Sequence, residues 1–186
     1  MKDSKDRVAA PEPEGFGAAI DIVEGRSDTA SSPKLRRLAD YVALSGSTTH
    51  FLERIAGRPV SVQVLEQRAL QDTNRGEVLY RRSRLYLDAP SNTLLIADVE
   101  VLLDRLAADE RLRALRGHEG LGRLLDPDNR GRLRKRDLEQ VWLPAPPLLC
   151  VGDTRALARS FELLIDDLPC AWIREIVSPA SLARLG

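Results

Sequence analysis

Cysteine is scarce: Cys150 and Cys170 are the only two in 186 residues, and their spacing fits no metal-ligand pattern. That excludes a disulfide-stapled secreted scaffold, and both are expected to be reduced thiols of a cytoplasmic protein. Net charge is absent, with 28 basic residues balanced by 28 acidic ones. The global electrostatic case for nucleic acid or an acidic membrane surface falls with it, leaving only local basic patches. No apolar run approaches the ~20 residues of a membrane-spanning helix, and "MKDSKDRVAAPEPEG" lacks the apolar core of a signal peptide. His50 and His118 are the only histidines, and neither has a second ligand at helical spacing. There is no GxSxG, P-loop or GxGxxG. "DPDNRGRLRKRDLE" at 126–139 has the acids of a calcium loop at Asp126 and Asp128, but Arg130 and Arg132 stand where oxygen ligands belong. No metal and no cofactor are expected.

What is present is an ordinary balance for a single domain: 43% hydrophobic and 30% charged residues. Residues 1–32, rich in Pro, Gly, Ser, Asp and Ala, predict a flexible arm, and residues 33–186 the folded domain. Pro33 opens a helix with Leu35, Leu38, Ala39, Val42 and Ala43 as its apolar stripe. Thr48 or Thr49 caps a second helix that buries Phe51, Leu52 and Ile55 and ends at Gly57. The period then changes to two. Strands are predicted at 60–66, 78–87 and 93–101 as an antiparallel meander, followed by a helical block through "VLLDRLAADERLRAL" and "LGRLL". A short strand is expected around Val141 and Trp142, and a closing hairpin from "RSFELLID" and "CAWIREIV". The run "RGRLRKR" reads as a solvated surface turn. The fold class is α+β, with a single antiparallel sheet.

Two places put charge where a strand should be apolar. In "VLYRRSRLYLD" (78–88), Arg82 and Arg84 share a face with Val78, Tyr80 and Tyr86, while Arg81 shares the other with Leu79, Ser83, Leu85 and Leu87. Both faces are partly apolar, so parity alone does not name the core side. Glu175 lies between Ile173 and Val177 and should point inward with them, where a carboxylate needs a cation, a donor or a ligand.

The order of "STTHFLERIAGRPVSVQVLEQ", the Arg-bearing strand, "LIADVEV", "GLGRLL" and "LPCAWIREIVSP" resembles the chorismate pyruvate-lyase family over roughly residues 33–180. The resemblance implies a single antiparallel sheet with helical flaps covering a buried pocket. It also implies cofactor-free cleavage of chorismate to 4-hydroxybenzoate and pyruvate. By alignment it makes Arg82 the clamp of the ring carboxylate and Glu175 the contact to the ring hydroxyl, with Leu121 and Thr48 completing the substrate site. A guanidinium suits the first role because it meets a carboxylate through two parallel charge-assisted hydrogen bonds. Arg84 departs from the family pattern, as do Asp98 and Glu100. Arg84 either extends the substrate site or pairs with one of those acids at its rim.

The main expectation is a chorismate lyase; the alternatives are a divergent biosynthetic enzyme acting on another carboxylated substrate, or a non-catalytic small-ligand-binding domain. The expected partner in each is a small carboxylated molecule, with no nucleic acid and no membrane span, and the expected state is a monomer or weak dimer. No helix-turn-helix is read ahead of residue 33, which weighs against a regulator's effector domain.

Overall fold

The structure, a computed structural model, describes residues 33–128, 130–149 and 154–185. The arm expected at 1–32 and the thiol of Cys150 lie outside the described residues. Two helices come first, α1 (Pro33–Val42) and α2 (Thr48–Ala56), then three strands, β1 (Ser61–Asp72), β2 (Gly76–Tyr86) and β3 (Thr93–Leu102). Helices α3 (Ala108–Arg116) and α4 (Leu121–Leu125) lead to β4 (Leu133–Pro144), β5 (Arg155–Ile165), β6 (Leu168–Val177) and α5 (Pro179–Ala183).

All six strands form one antiparallel sheet in the order β1-β2-β3-β6-β5-β4. It consists of two three-stranded meanders joined at β3 and β6. The expected class is thus observed, with one addition: β4 is a full edge strand of 12 residues, where the sequence suggested a short one. Its apolar alternation is interrupted by a bulge between Arg136 and Glu139, with Asp137 at φ 53°, and this breaks the period that pattern reading relies on. The β5–β6 hairpin turns on Asp166 and Asp167, both at positive φ (50° and 67°), as a two-residue turn with the right twist requires.

The helices cover one face. There Phe51, Leu52, Leu79, Leu95, Val101, Leu124, Phe161, Ile173 and Leu182 belong to a continuous buried core. Among the described side chains of α1 Tyr41 is buried, while Ala39 and Ala43 of the expected stripe are exposed. Ser47, not Thr48 or Thr49, caps α2, its Oγ accepting the His50 N–H at 3.3 Å, and Gly57 ends it at φ 68°. A smaller apolar cluster, built on Ile96, Leu149, Ala156, Ala158 and Ile176, sits on the opposite face. Among the described residues no helix is long and apolar enough to cross a membrane.

Candidate functional site

The helical cover and the sheet border a half-open cavity of about 50 Å³. Strand alternation supplies its floor: Ser83 and Leu85 from β2, Leu95, Ala97 and Val99 from β3, Phe161 and Leu163 from β5, Ile173 from β6 and Leu133 from β4. Its roof is the start of α2 (Ser47, Thr48, Thr49) set against the start of α4 (Gly120, Leu121, Gly122). These two turns touch so closely that a side chain at either glycine would displace a hydroxyl of the other turn. A Cβ on Gly122 would lie 2.1 Å from Ser47 Oγ, and one on Gly120 would lie 2.8 Å from Thr49 Oγ1.

Three charged side chains border this mostly apolar space. Arg81, 3% exposed, comes from β2. One of its guanidinium nitrogens makes a long bond of 3.5 Å to the Glu119 carbonyl, and Nε and Nη1 meet no acceptor among the described residues. Burial pulls its pKa below the usual arginine value, with Glu119 opposing in part. Lys135, its side chain 3% exposed, reaches in from β4. Its Nζ donates to Thr48 Oγ1 at 2.8 Å, sits 4.4 Å from the Phe161 ring centre and lies 3.8 Å from Glu175 Oε2. Burial brings this amine down to about 8, against the pull of Glu175 upward, with Arg159 adding to the lowering. Glu175, 6% exposed, completes the set and accepts the Tyr41 hydroxyl at 3.0 Å. Desolvation, then the Glu175 charge, raise the Tyr41 pKa well above its usual value, so the phenol stays a donor.

Behind these stands Arg159, wholly buried and paired in register with Glu175. It donates to the carbonyls of Tyr41 and Leu44, the latter at 2.9 Å, and stacks over the Tyr41 ring at 4.4 Å. The Tyr41 carbonyl also accepts the Leu44 N–H at 3.2 Å, and a cation at the carbonyl end of a helix is favoured.

Glu175, Leu121 and Thr48 therefore border one cavity, but Arg82 and Arg84 do not. Arg82 lies on the opposite, solvent-facing side of the sheet, its side chain 45% exposed and 3.4 Å from Asp98. Arg84, on that same side, donates to Gln63 Oε1 at 2.8 Å, while Glu100 pairs with Arg75 at 2.6 Å. The physical reason is parity. Leu79, Ser83 and Leu85 turn toward the helices, and Arg81 must turn with them. On the face of Arg82, Tyr80 and Tyr86 are only half-buried, and only Val78 at the strand's start is fully covered. Arg82, the residue that the alignment by motif selects, thus stands on the face away from this cavity, and its neighbour Arg81 borders it.

Lys135, Tyr41 and Arg159 escaped pattern reading. Lys135 lay within the run taken as a surface turn, although the Leu133–Lys135 alternation carries its inward parity. Arg159 stands two residues before Phe161 and shares its face; Tyr41 lies one helical step from Leu38. Asp126, in the segment with calcium-loop-like acids, accepts the backbone N–H groups of Arg130, Gly131 and Arg132, so its carboxylate organises the loop entering β4.

A single antiparallel sheet with helices on one face and a three-charge cavity between them thus defines the described residues. No protein-family model and no curated protein sequence matches this chain. Solved structures resemble it in part. A domain described as the ligand-binding domain of a GntR-family transcriptional regulator from Bordetella bronchiseptica matches at 17% identity and a TM-score of 0.44, over 64% of this chain and 82% of that one. PhnF from Mycobacterium smegmatis matches at 14% identity and a TM-score of 0.45, over 73% of this chain and 64% of that one. A GntR-family regulator from Enterococcus faecalis matches at 10% identity and a TM-score of 0.41, over 65% and 95%.

Proposed function

We propose that the cavity binds a small carboxylated molecule and that the chain acts as a small-ligand-binding domain. One observation carries this reading: Arg81 is buried with two guanidinium nitrogens that meet no acceptor among the described residues, beside an apolar cavity. A buried cation left without partners is costly, and a carboxylate satisfies two guanidinium donors at once. The apolar floor suits a ring or short hydrocarbon, and Lys135 and Glu175 offer a donor and an acceptor to the ligand's other end.

Calorimetric titration with 4-hydroxybenzoate and related benzoates tests the reading. Arg81→Leu is expected to lower affinity at least about tenfold, the scale of a lost charge-assisted pair. Arg82→Leu is expected to leave affinity within about twofold, because exposed pairs such as Arg82–Asp98 contribute little. Equal losses from the two variants would overturn the assignment.

Cleavage of chorismate is the second reading, favoured by the placing of an arginine and a glutamate on the same cavity. The chamber would then orient the ring, and Glu175 would hold its hydroxyl or take a proton. Incubation with chorismate, following pyruvate and 4-hydroxybenzoate, decides it. Turnover abolished by Arg81→Leu supports catalysis, and turnover no faster than in buffer removes it.

A further inference from the structure

The chain is frugal with lysine: 24 of its 28 basic residues are arginine, and the four lysines are Lys2, Lys5, Lys34 and Lys135. From residue 35 onward there is one lysine, and it is the basic residue of β4 that enters the cavity. Its neighbours on that strand, Arg134 and Arg136, pair with Asp167 and Glu162 at the surface. Arginine serves wherever a fixed positive charge is wanted. An amine differs from a guanidinium in one chemical respect that matters at a buried site: it can lose its proton and become a nucleophile.

The geometry points to Lys135 as the attachment point for a carbonyl compound: we propose that it forms a reversible imine with an oxo acid or carboxylated aldehyde whose carboxylate Arg81 holds. The proposal deepens the carboxylate-binding reading above and rests on it for the ligand's anionic end.

The surroundings meet the needs of each step. Nζ faces Glu175 from β6, Arg159 from β5 and Thr48 from α2, with the Phe161 ring against it. Tyr41 of α1 holds Glu175 from the far side, and Arg81 of β2 borders the same cavity. The ammonium gives one proton to the Glu175 carboxylate. The freed Nζ lone pair forms the N–C bond as the carbonyl π pair moves onto oxygen. A second N–H proton passes to that oxygen, giving a hydroxyl. Glu175 returns the first proton, the C–O bond breaks, and water leaves as the N–C bond becomes a protonated imine. The three ammonium hydrogens end as one on the imine nitrogen and two in water. The site's charge is the same before and after, so the Glu175 carboxylate that faces the ammonium also serves the iminium. An amine brought to about 8 by burial supplies neutral nucleophile near neutral pH, where an exposed lysine supplies almost none.

The test treats the full chain with 4-formylbenzoate and cyanoborohydride, then maps the reduced adduct by peptide mass spectrometry. Lys135 is expected to be labelled about tenfold or more faster than Lys2, Lys5 or Lys34, with a rate that rises through about pH 8. Lys135→Arg and Lys135→Met should both lose the cavity adduct, and a cooperative thermal unfolding transition in each shows that the fold is intact. Benzaldehyde, which lacks the carboxylate, separates the two ideas. If it labels Lys135 as fast as 4-formylbenzoate does, the amine is reactive and the Arg81 clamp is wrong. If benzoates bind but Lys135 is labelled no faster than the other lysines, the clamp stands and the imine proposal is overturned.

Discussion

Lys135 is the residue whose energetics and chemistry meet most directly. Its amine lies near 8 in the folded chain against an ordinary value of 10.5. Between those values the unfolded chain binds a proton here that the folded chain does not, so the stability owed to this residue rises with pH across that window. Below about pH 8 both states are protonated and the full cost of burying the cation is present, on the order of 3 kcal/mol at about 1.4 kcal/mol per pH unit. Tyr41 and Cys170 act in the opposite sense. Burial raises both, Cys170 to about 12, so the unfolded chain loses their protons first as pH rises. Comparison with Lys135→Met isolates the lysine. In urea titrations at about pH 7 and about pH 10, wild type should gain on the variant toward the higher pH, by up to that same ~3 kcal/mol. Parallel behaviour at the two pH values would show that Lys135 does not carry the shift.

Among the secondary elements, the roof of the cavity is the informative junction. Two helix starts meet there, and Gly122 is the point of contact: its missing Cβ leaves room for Ser47, whose Oγ caps α2. Gly122→Ala must displace Ser47 or push α4 outward. Loss of the cap costs about 1 kcal/mol and overpacking about 1–3 kcal/mol, so a fall in stability of that combined order is expected. Gly46→Ala, where an added Cβ meets nothing within 4 Å, should be near neutral. Denaturant midpoints of the two variants check the pair, and equal midpoints would show that the roof has slack. The glycines of "GLGRLL" were legible as interruptions of a helical block. Their purpose was not, because close approach to a segment some 75 residues earlier in the chain leaves no mark on local periodicity.

For the whole molecule, Arg159 joins parts that are distant in sequence. It is rooted in β5, holds the carbonyls of Tyr41 and Leu44 at the end of α1, and stands in register with Glu175. Arg159→Leu takes a donor from both carbonyls, leaving the Tyr41 carbonyl only the Leu44 N–H at 3.2 Å, and removes the cation from the Tyr41 ring. A loss of about 1–3 kcal/mol follows from the lost charge-assisted bonds. Thermal unfolding should shift down by about 2–4 °C per kcal/mol for a chain of this size. A midpoint unchanged from wild type would mean that α1 is held to the sheet by its apolar contacts alone.

The sequence by itself determined the α+β class, the first meander, the closing hairpin and the inward turn of Glu175. Each depends on a local period of two or 3.6, and period survives in the order of residues. It also carried the parity that splits Arg81 from Arg82, but not which face the helices would cover, since both sides of β2 are partly apolar. Only the tertiary structure decided that. Packing of the helices on the Leu79–Ser83–Leu85 side turned Arg81 into the cavity and left Arg82 to Asp98. The long β4 edge strand, the lysine it delivers and the buried arginine behind the site were decided there too. A bulge conceals the strand's period, and a charged residue's burial depends on partners that lie far along the chain.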